Sequence, residues 1–138
     1  MQDFKISPEM LTFSGVFYPK GYAFIMFPTA ENADVVAGEI VDRLSSHLGA
    51  SDNVMRLSPA VVLREVGKVE GESDVTLPAV GTEGATVRKY VDLARRGHHA
   101  LMVRVASDEE AELLMVSARK ANFSYAQRYH LLAMEDLE

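Results

Sequence analysis

The chain has 138 residues, of which 48% are hydrophobic, 8% aromatic and 25% charged, so its composition is that of an ordinary globular domain. These values exclude collagen-like, coiled-coil and intrinsically disordered chains. The absence of cysteine excludes thiolate catalysis, iron–sulfur clusters and disulfide-stabilised secreted scaffolds, and the net charge of −6 argues against a nucleic-acid partner.

No segment of the sequence has the pattern of a targeting signal or a membrane span. The N-terminus reads Met-Gln-Asp-Phe-Lys, which lacks the basic start and apolar core of a signal peptide. No run approaches the roughly 20 apolar residues that a membrane-spanning helix needs. We therefore expect a soluble, cytoplasmic protein without a membrane partner.

The first predicted strand covers residues 22–27, where aromatic and branched side chains occupy both faces and turn residues flank the run. Apolar residues on both faces place this strand at the centre of a sheet. Thr29 can cap a helix that runs to about residue 48, because apolar residues recur there at helical spacing. Gly49 would end this helix.

The middle of the chain contains a short predicted strand at 54–57 and two further helices. The first helix covers 59–66 and is preceded by a capping serine, with proline at its first position. The stretch 67–84 is acidic and rich in glycine, which predicts a surface connection inserted within one domain. The second helix begins at residue 82 or 84 and ends at a glycine after residue 96.

The last third contains a strand, a helix and a strand. Residues 99–105 alternate with the two-residue period of a strand. Residues 107–110 read Ser-Asp-Glu-Glu, which is a capping box with acidic residues at the start of a helix. This pattern predicts a helix that runs to about residue 121. The closing strand is predicted at 129–134, with a start nearer residue 125 as the alternative.

Two strand–helix–strand halves predict a ferredoxin-like α+β sandwich. Its four-stranded antiparallel sheet has the spatial order 4-1-3-2, with two helices on one face. We predict a single domain over 1–138, with an N-terminal arm at 1–21 and a helical insertion at 58–97 between the second and third strands.

The second face of the predicted sheet is left open, and either set of alternating strand residues makes it apolar. Because a large apolar patch is uncommon on a monomer, we expect something to cover it. Self-association, face to face or through an edge strand, is the leading interpretation, and the N-terminal arm or an apolar small molecule are the alternatives. The interface candidates are Phe24, Met26, Met102 and Arg104.

One local cluster of cations stands out in this acidic chain. It consists of Arg88, Lys89, Arg95 and Arg96, followed by two histidines. Asp92 interrupts the helical face that the cluster would form, so we interpret it as a solvated helix surface whose last cations favour the negative end of the helix dipole.

Motifs that would carry chemistry are missing from the sequence. The four histidines have no metal-ligand spacing, and neither a nucleophile motif nor a phosphate-binding glycine loop is present. We therefore assign no catalytic residue, no metal and no cofactor. If a ligand cavity lies between sheet and helices, its candidate residues are Tyr22, His99, Tyr129 and His130, although a structural role is the simpler interpretation of the histidines.

The RNA-recognition fold shares the predicted topology and makes a testable alternative. Its third strand carries aromatic residues that stack bases, whereas residues 99–104 read His-Ala-Leu-Met-Val-Arg. Tyr22 and Phe24 could still stack a base. The acidic charge and the missing aromatics nevertheless lead us to expect no nucleic-acid partner.

The second half of the chain resembles bacterial general-stress, or heat-induced stress, protein domains. The resemblance lies in Arg-Lys-Tyr-Val-Asp-Leu-Ala-Arg-Arg-Gly at 88–97, Leu-Met-Val-Arg-Val at 101–105, the capped helix, and Ala-Gln-Arg-Tyr at 126–129. It covers about residues 22–48 and 82–137, while the arm and the helical insertion depart from the short form of the family. The resemblance implies a ferredoxin-like bacterial protein with a link to stress, and it supplies no catalytic residue.

From these observations we expect a non-enzymatic bacterial protein, a homodimer, that acts as an interaction or regulatory module. The alternative is a small-molecule-binding domain or a cofactor-free enzyme of the dimeric ferredoxin-like barrel type. A binding domain should keep a pocket with convergent polar groups, whereas an interaction module should have a filled core and a flat apolar face.

Overall fold

The computed structural model describes residues 2–3, 19–48, 54–67, 81–130 and 134–138. The predicted N-terminal arm, apart from its residues 2–3 and 19–21, and most of the glycine-rich connection lie outside the described residues. In chain order the elements are β1 (Gln2–Asp3), β2 (Tyr22–Phe27), α1 (Ala30–Leu48), β3 (Val54–Leu57), α2 (Pro59–Val61), α3, which is π-helical (Val62–Val66), α4 (Gly81–Arg95), β4 (His99–Arg104), α5 (Asp108–Lys120), β5 (Tyr125–Tyr129) and β6 (Met134–Asp136).

The strands form one sheet in the order β1-β3-β4-β2-β5-β6. Its four inner strands are antiparallel and have the predicted 4-1-3-2 order, so the ferredoxin-like α+β sandwich is confirmed. The central strand β2 pairs with β4 from Tyr22↔Arg104 to Phe27↔His99. Two short strands extend the edges, since β1 lies parallel to β3 and β6 lies antiparallel to β5.

The predicted helix starts are made by the expected side-chain caps. Thr29 Oγ1 accepts the Asn32 N–H at 3.1 Å before α1, and Ser58 Oγ accepts the Val61 N–H at 3.3 Å before α2. Before α5, Ser107 Oγ accepts the backbone N–H of Glu110 at 3.1 Å. These bonds satisfy N–H groups that the first turn of a helix leaves without intrahelical partners.

The helices cover both faces of the sheet. Helices α1 and α5 bury one face, where Ile25 and Leu101 are fully buried. The insertion helices α2, α3 and α4 bury the other face through an apolar set: Val62, Val66, Val87, Tyr90, Val91, Leu93 and Ala94. The expectation of an open apolar face is therefore wrong, because the insertion of the same chain supplies a second helical layer.

Two predicted boundaries also differ from the structure. The closing strand begins at Tyr125 and ends at Tyr129, as in the alternative start, and the chain then forms the separate strand β6. The helix predicted at 59–66 is a single α-helical turn followed by a π-helix, in which the Gly67 N–H donates to the carbonyl of Val62 five residues earlier. In the part of the chain that the structure describes, no helix combines the length and apolarity needed to cross a membrane.

Replacing Gly38 with alanine should raise the free energy of unfolding by about 0.5–1 kcal/mol, measured by urea denaturation. Gly38 lies inside α1, is exposed, and has space for a methyl group, with no atom of another element within 4 Å. Glycine therefore weakens the helix without a visible steric reason.

Gly97→Ala is the matched control, because Gly97 is also exposed and uncrowded but has φ +92°. This substitution should lower the free energy of unfolding by about 1 kcal/mol or more, since L-residues rarely adopt that conformation. A neutral or destabilising Gly38→Ala would contradict the helix-propensity argument.

Candidate functional site

A cluster of tyrosines joins α4 to the sheet. The two-residue period of β5 places Tyr125, Gln127 and Tyr129 on the face beneath α4. The hydroxyl oxygens of Tyr129 and Tyr90 lie 2.7 Å apart, and both residues are buried. One hydroxyl donates to the other, so a hydrogen bond between residues far apart in the chain fixes the insertion on β5.

The ring of Tyr90 extends this contact to two neighbouring strands. Its centroid lies 4.1 Å from that of Phe24 on β2 and 5.7 Å from that of Tyr125 on β5. Tyr125 in turn accepts a hydrogen bond from Gln127 Nε2 at 3.2 Å, and Lys89 Nζ lies 5.8 Å from its ring centroid. Offset and edge contacts of this kind add to the area that the rings bury.

The four predicted ligand residues do not converge. Tyr22 and Tyr129 share the insertion face of the sheet, Tyr22 half-buried and Tyr129 fully buried. His99 pairs in register with Phe27 and lies on the opposite face, towards α1. His130 follows β5 and places Nε2 2.8 Å from a carboxylate oxygen of Glu135. A single pocket formed by all four side chains is therefore not present.

His99 is half-buried beside a charged group. Its Nδ1 atom is buried and has no hydrogen-bond partner among the described residues. The pKa of His99 lies below the ordinary value because burial disfavours the charged ring and the Arg56 cation repels it, while Asp34 and Glu31 act in the opposite direction. Arg56 itself is paired with Asp34 on α1.

His98 lies in a different environment from His99, close to the turn before β5. Its Nδ1 atom lies 2.8 Å from the hydroxyl of Ser124, in the turn before β5. Burial lowers the pKa of His98, and Arg96 lowers it further. Both adjacent histidines therefore resist protonation in the folded protein.

Three of the four predicted interface residues are inside the molecule. Phe24, Met26 and Met102 are fully buried beneath the insertion, whereas Arg104 is exposed at the end of β4. With the insertion in this position, a second copy cannot contact the three buried side chains. The same layer covers Phe24, which removes it as a surface on which an RNA base could stack.

The outer surface of α4 is basic. We call the exposed side chains Arg88, Lys89, Arg95 and Arg96 the basic face. Asp92 lies among them and pairs with Arg96 at 3.2 Å. On the other side of the sheet, α1 and α5 together carry eight acidic and three basic residues by sequence. The two helical layers thus have opposite charge.

Two clefts flank the C-terminal segment that follows β6. One, of about 440 Å³, is lined by Asp108, Glu112, Arg128 and Glu135, and it contains the 2.7 Å ion pair between Arg128 and Asp108. This pair connects β5 to the start of α5. Sequence patterns did not indicate the cleft, because its residues come from elements whose spacing is set by the fold.

The second cleft has a volume of about 490 Å³ and is more aromatic. We call it the aromatic cleft; it is lined by Arg119, Phe123, Ser124, Tyr125, Ala126, Leu137 and Glu138. The nearest sequence signal is the aromatic pair at 123 and 125, just before the strand. Among the described residues, no group of three or more histidine or acidic side chains is arranged to hold a metal ion.

Comparison with known proteins found no relative. A scan against protein-family models, a search of curated proteins and a search of solved structures each returned no match. The resemblance to bacterial general-stress domains therefore stays an expectation from the sequence.

Tyr90→Phe should lower the free energy of unfolding by about 1 kcal/mol, since it removes one hydroxyl of a buried hydrogen bond. Tyr129→Phe should have a similar effect. The double variant should lose less than the two single losses added together, because either single substitution already breaks the hydrogen bond that the two hydroxyls share. Urea denaturation of all four proteins measures this coupling, and strictly additive losses would show that the two hydroxyls do not stabilise each other.

Stability should fall as the pH is lowered below 6.5, the ordinary histidine pKa, because His98 and His99 bind protons more readily in the unfolded chain. Their stabilising contribution is fully present above that pH and is lost as the pH falls through the lower pKa values of the folded state. Urea denaturation between about pH 5 and pH 8 should give a flatter profile for His99→Gln. The double variant with His98→Gln should be flatter still, and an unchanged profile in both variants would contradict the assignment.

Proposed function

We propose that the protein is a non-enzymatic, cytoplasmic interaction module that binds an acidic partner protein through the basic face of α4. The observation that carries this proposal is the placement of three exposed cations on α4, and of a fourth, Arg96, directly after it, in a chain with a net charge of −6. The resemblance to bacterial general-stress domains supports a role in stress physiology. In this proposal the inner side of α4 packs on the sheet and the outer side binds the partner.

The cations are not needed for the packing of α4. The helix is held to the sheet by its apolar side and by Tyr90, while the basic face points to solvent. The helix dipole accounts for Arg95, in the last turn, but its effect does not extend to Arg88 and Lys89 in the middle of the helix. A solvated surface explains that charge is present there, and a binding function explains why four cations surround a single acid, Asp92.

The acidic charge of the layer formed by α1 and α5 orients an approaching partner. Because α1 and α5 are acidic, an acidic partner is repelled from their side of the sheet and attracted to α4. Complementary potentials of this kind increase the association rate and exclude partners of the wrong charge. The proposal therefore predicts binding that weakens as salt is added.

We still propose a homodimer, but an open apolar face is no longer the reason for it. The open apolar face that led to it is covered by the insertion, so a second copy would need another surface. Native mass spectrometry of the purified protein reports the number of subunits directly. The pocket of Tyr22, His99, Tyr129 and His130 is not proposed further, because its residues lie on different faces of the sheet.

Reversing the charge of the basic face should abolish most of the binding to an acidic probe. For Arg88→Glu/Arg95→Glu we expect the Kd for a fluorescein-labelled decaglutamate peptide to rise at least about tenfold, measured by fluorescence anisotropy in about 50 mM salt. Each of these arginines is exposed, so the fold should be retained.

The matched control is Arg104→Glu/Lys120→Glu, which makes the same change in net charge at exposed positions outside α4. Its Kd should stay within about threefold of the wild-type value, because screening limits the reach of a surface charge. Equal losses in the two double variants would assign binding to net charge alone. Either that result or the absence of binding by the wild type would overturn the proposal.

A further inference from the structure

Three large apolar side chains are exposed in the described part of the chain, and all three belong to the helical layers. Val35 on α1 is 57% exposed and Leu113 on α5 is 41% exposed, so both lie on the acidic side of the sheet. Leu63 on α3 is 37% exposed and lies on the side of the insertion. Each layer therefore presents to solvent the kind of side chain that occupies the centre of a protein interface.

Acidic residues flank the exposed apolar residues of α1 and α5. We call the outer surface of these two helices, which contact each other, the acidic layer. Its exposed acids among the described residues are Glu31, Asp34, Asp108, Glu109 and Glu112. Three of them pair with arginines, whereas Glu31 and Glu109 form no ion pair with a described base. Because each of these two lies four residues before Val35 or Leu113, an unpaired carboxylate shares a helix face with each apolar side chain.

The basic face provides a complementary surface on the other side of the sheet. Among the described residues, only Arg96 of this face is paired with a carboxylate, so Arg88, Lys89 and Arg95 keep their charge for another partner. Helix α3, which carries Leu63, packs beside α4. Helices α4 and α5 have 15 and 13 residues, so they are about 22 Å and about 20 Å long. The two surfaces thus have opposite charge, similar length and an apolar contribution each.

We infer that the acidic layer of a second copy of this chain docks on the basic face. Val35 and Leu113 of one copy and Leu63 of the other supply the apolar part of the contact, and unpaired carboxylates meet unpaired cations around it. This inference rests on the proposed function, because it uses the same basic face and names another copy as the acidic partner. The net charge of −6 repels two copies in other orientations, which favours the orientation in which unlike surfaces meet.

The contact joins two different surfaces, so the assembly is head-to-tail. Because the two surfaces lie on opposite sides of the sheet, two copies cannot make both contacts with each other at once. A pair therefore keeps one free basic face and one free acidic layer, and further copies can add at either end. Within such an assembly an occupied basic face cannot bind another acidic protein, so self-association and partner binding exclude each other.

Sedimentation velocity of the full chain at increasing protein concentration, in about 50 mM salt, tests this inference. The wild type should form assemblies larger than a dimer, and salt or decaglutamate should return them to single chains. For Arg88→Glu/Arg95→Glu the Kd of self-association should rise at least roughly tenfold. The matched control is Lys20→Glu/Arg104→Glu, which makes the same change in net charge at exposed positions outside the helices. Its Kd should stay within about threefold of the wild-type value.

A second double variant, Val35→Lys/Leu113→Lys, changes only the acidic layer. Both positions are exposed and lysine is a good helix former, so the fold should be retained. Self-association should weaken at least roughly tenfold, while the Kd for decaglutamate stays within about threefold because the basic face is intact. A mixture of this variant with Arg88→Glu/Arg95→Glu combines one intact basic face with one intact acidic layer. The mixture should therefore associate with one-to-one stoichiometry at a concentration where each variant alone is a single chain.

Several results would overturn the inference. They are a wild type that stays a single chain, growth that stops at two chains, association that strengthens with salt, and a mixture of the two variants that does not associate. If the wild type stays a single chain but binds decaglutamate, the proposed function stands and the acidic partner is a different protein. If the wild type does not bind decaglutamate, the basic face is not a binding surface and both proposals fail.

Discussion

The structure depends on a sheet whose two faces are both apolar. Strands β2 and β4 bury side chains completely on either side, among them Phe24, Ile25, Leu101 and Met102. Each large apolar side chain removed from water contributes about 1.5–3 kcal/mol, so a single helical layer would leave a substantial part of the stabilisation unused. The insertion between β3 and β4 supplies the second layer. It closes one of the two core clusters, although it is an addition to the ferredoxin-like framework.

Much of the framework could be predicted because its signals are local. Period-two alternation located β4, flanking turn residues located β2, and side-chain caps located the starts of α1 and α5. The order of the strands followed from the two strand–helix–strand halves. The side of the sheet on which the insertion lies could not be predicted, because a helix with an apolar stripe does not specify which apolar surface it covers. The boundary of β5 was obscured by Gln127 and Arg128, polar residues that this strand buries.

The candidate sites were harder to predict than the fold, for a geometric reason. The Tyr90 and Tyr129 hydroxyls come together because α4 packs on β5, and the spacing of the two residues in the sequence does not predict that contact. His99 and Tyr129 were grouped because both are polar or aromatic strand residues, yet the register of β2 with its two neighbours places them on opposite faces. By contrast, the cations of α4 were visible in the sequence. Their interpretation depends on the fold. Because the inner side of α4 packs on the sheet, the cations on its outer side are available to bind a partner.

The pairing of β2 has a consequence for synthesis of the protein. Its two hydrogen-bonded neighbours, β4 and β5, lie about 70–105 residues further along the chain, so its contacts are among the most distant in sequence. Ribosomes add roughly 5–20 residues per second, so β2 and α1 wait several seconds before the strands that complete the sheet exist. Early in that interval β2 has only α1 to cover one of its faces, and it lacks both neighbouring strands and the insertion helices. The apolar side chains of β2 are therefore exposed to water mainly at the start of synthesis. At that stage they depend on shielding near the exit of the ribosome.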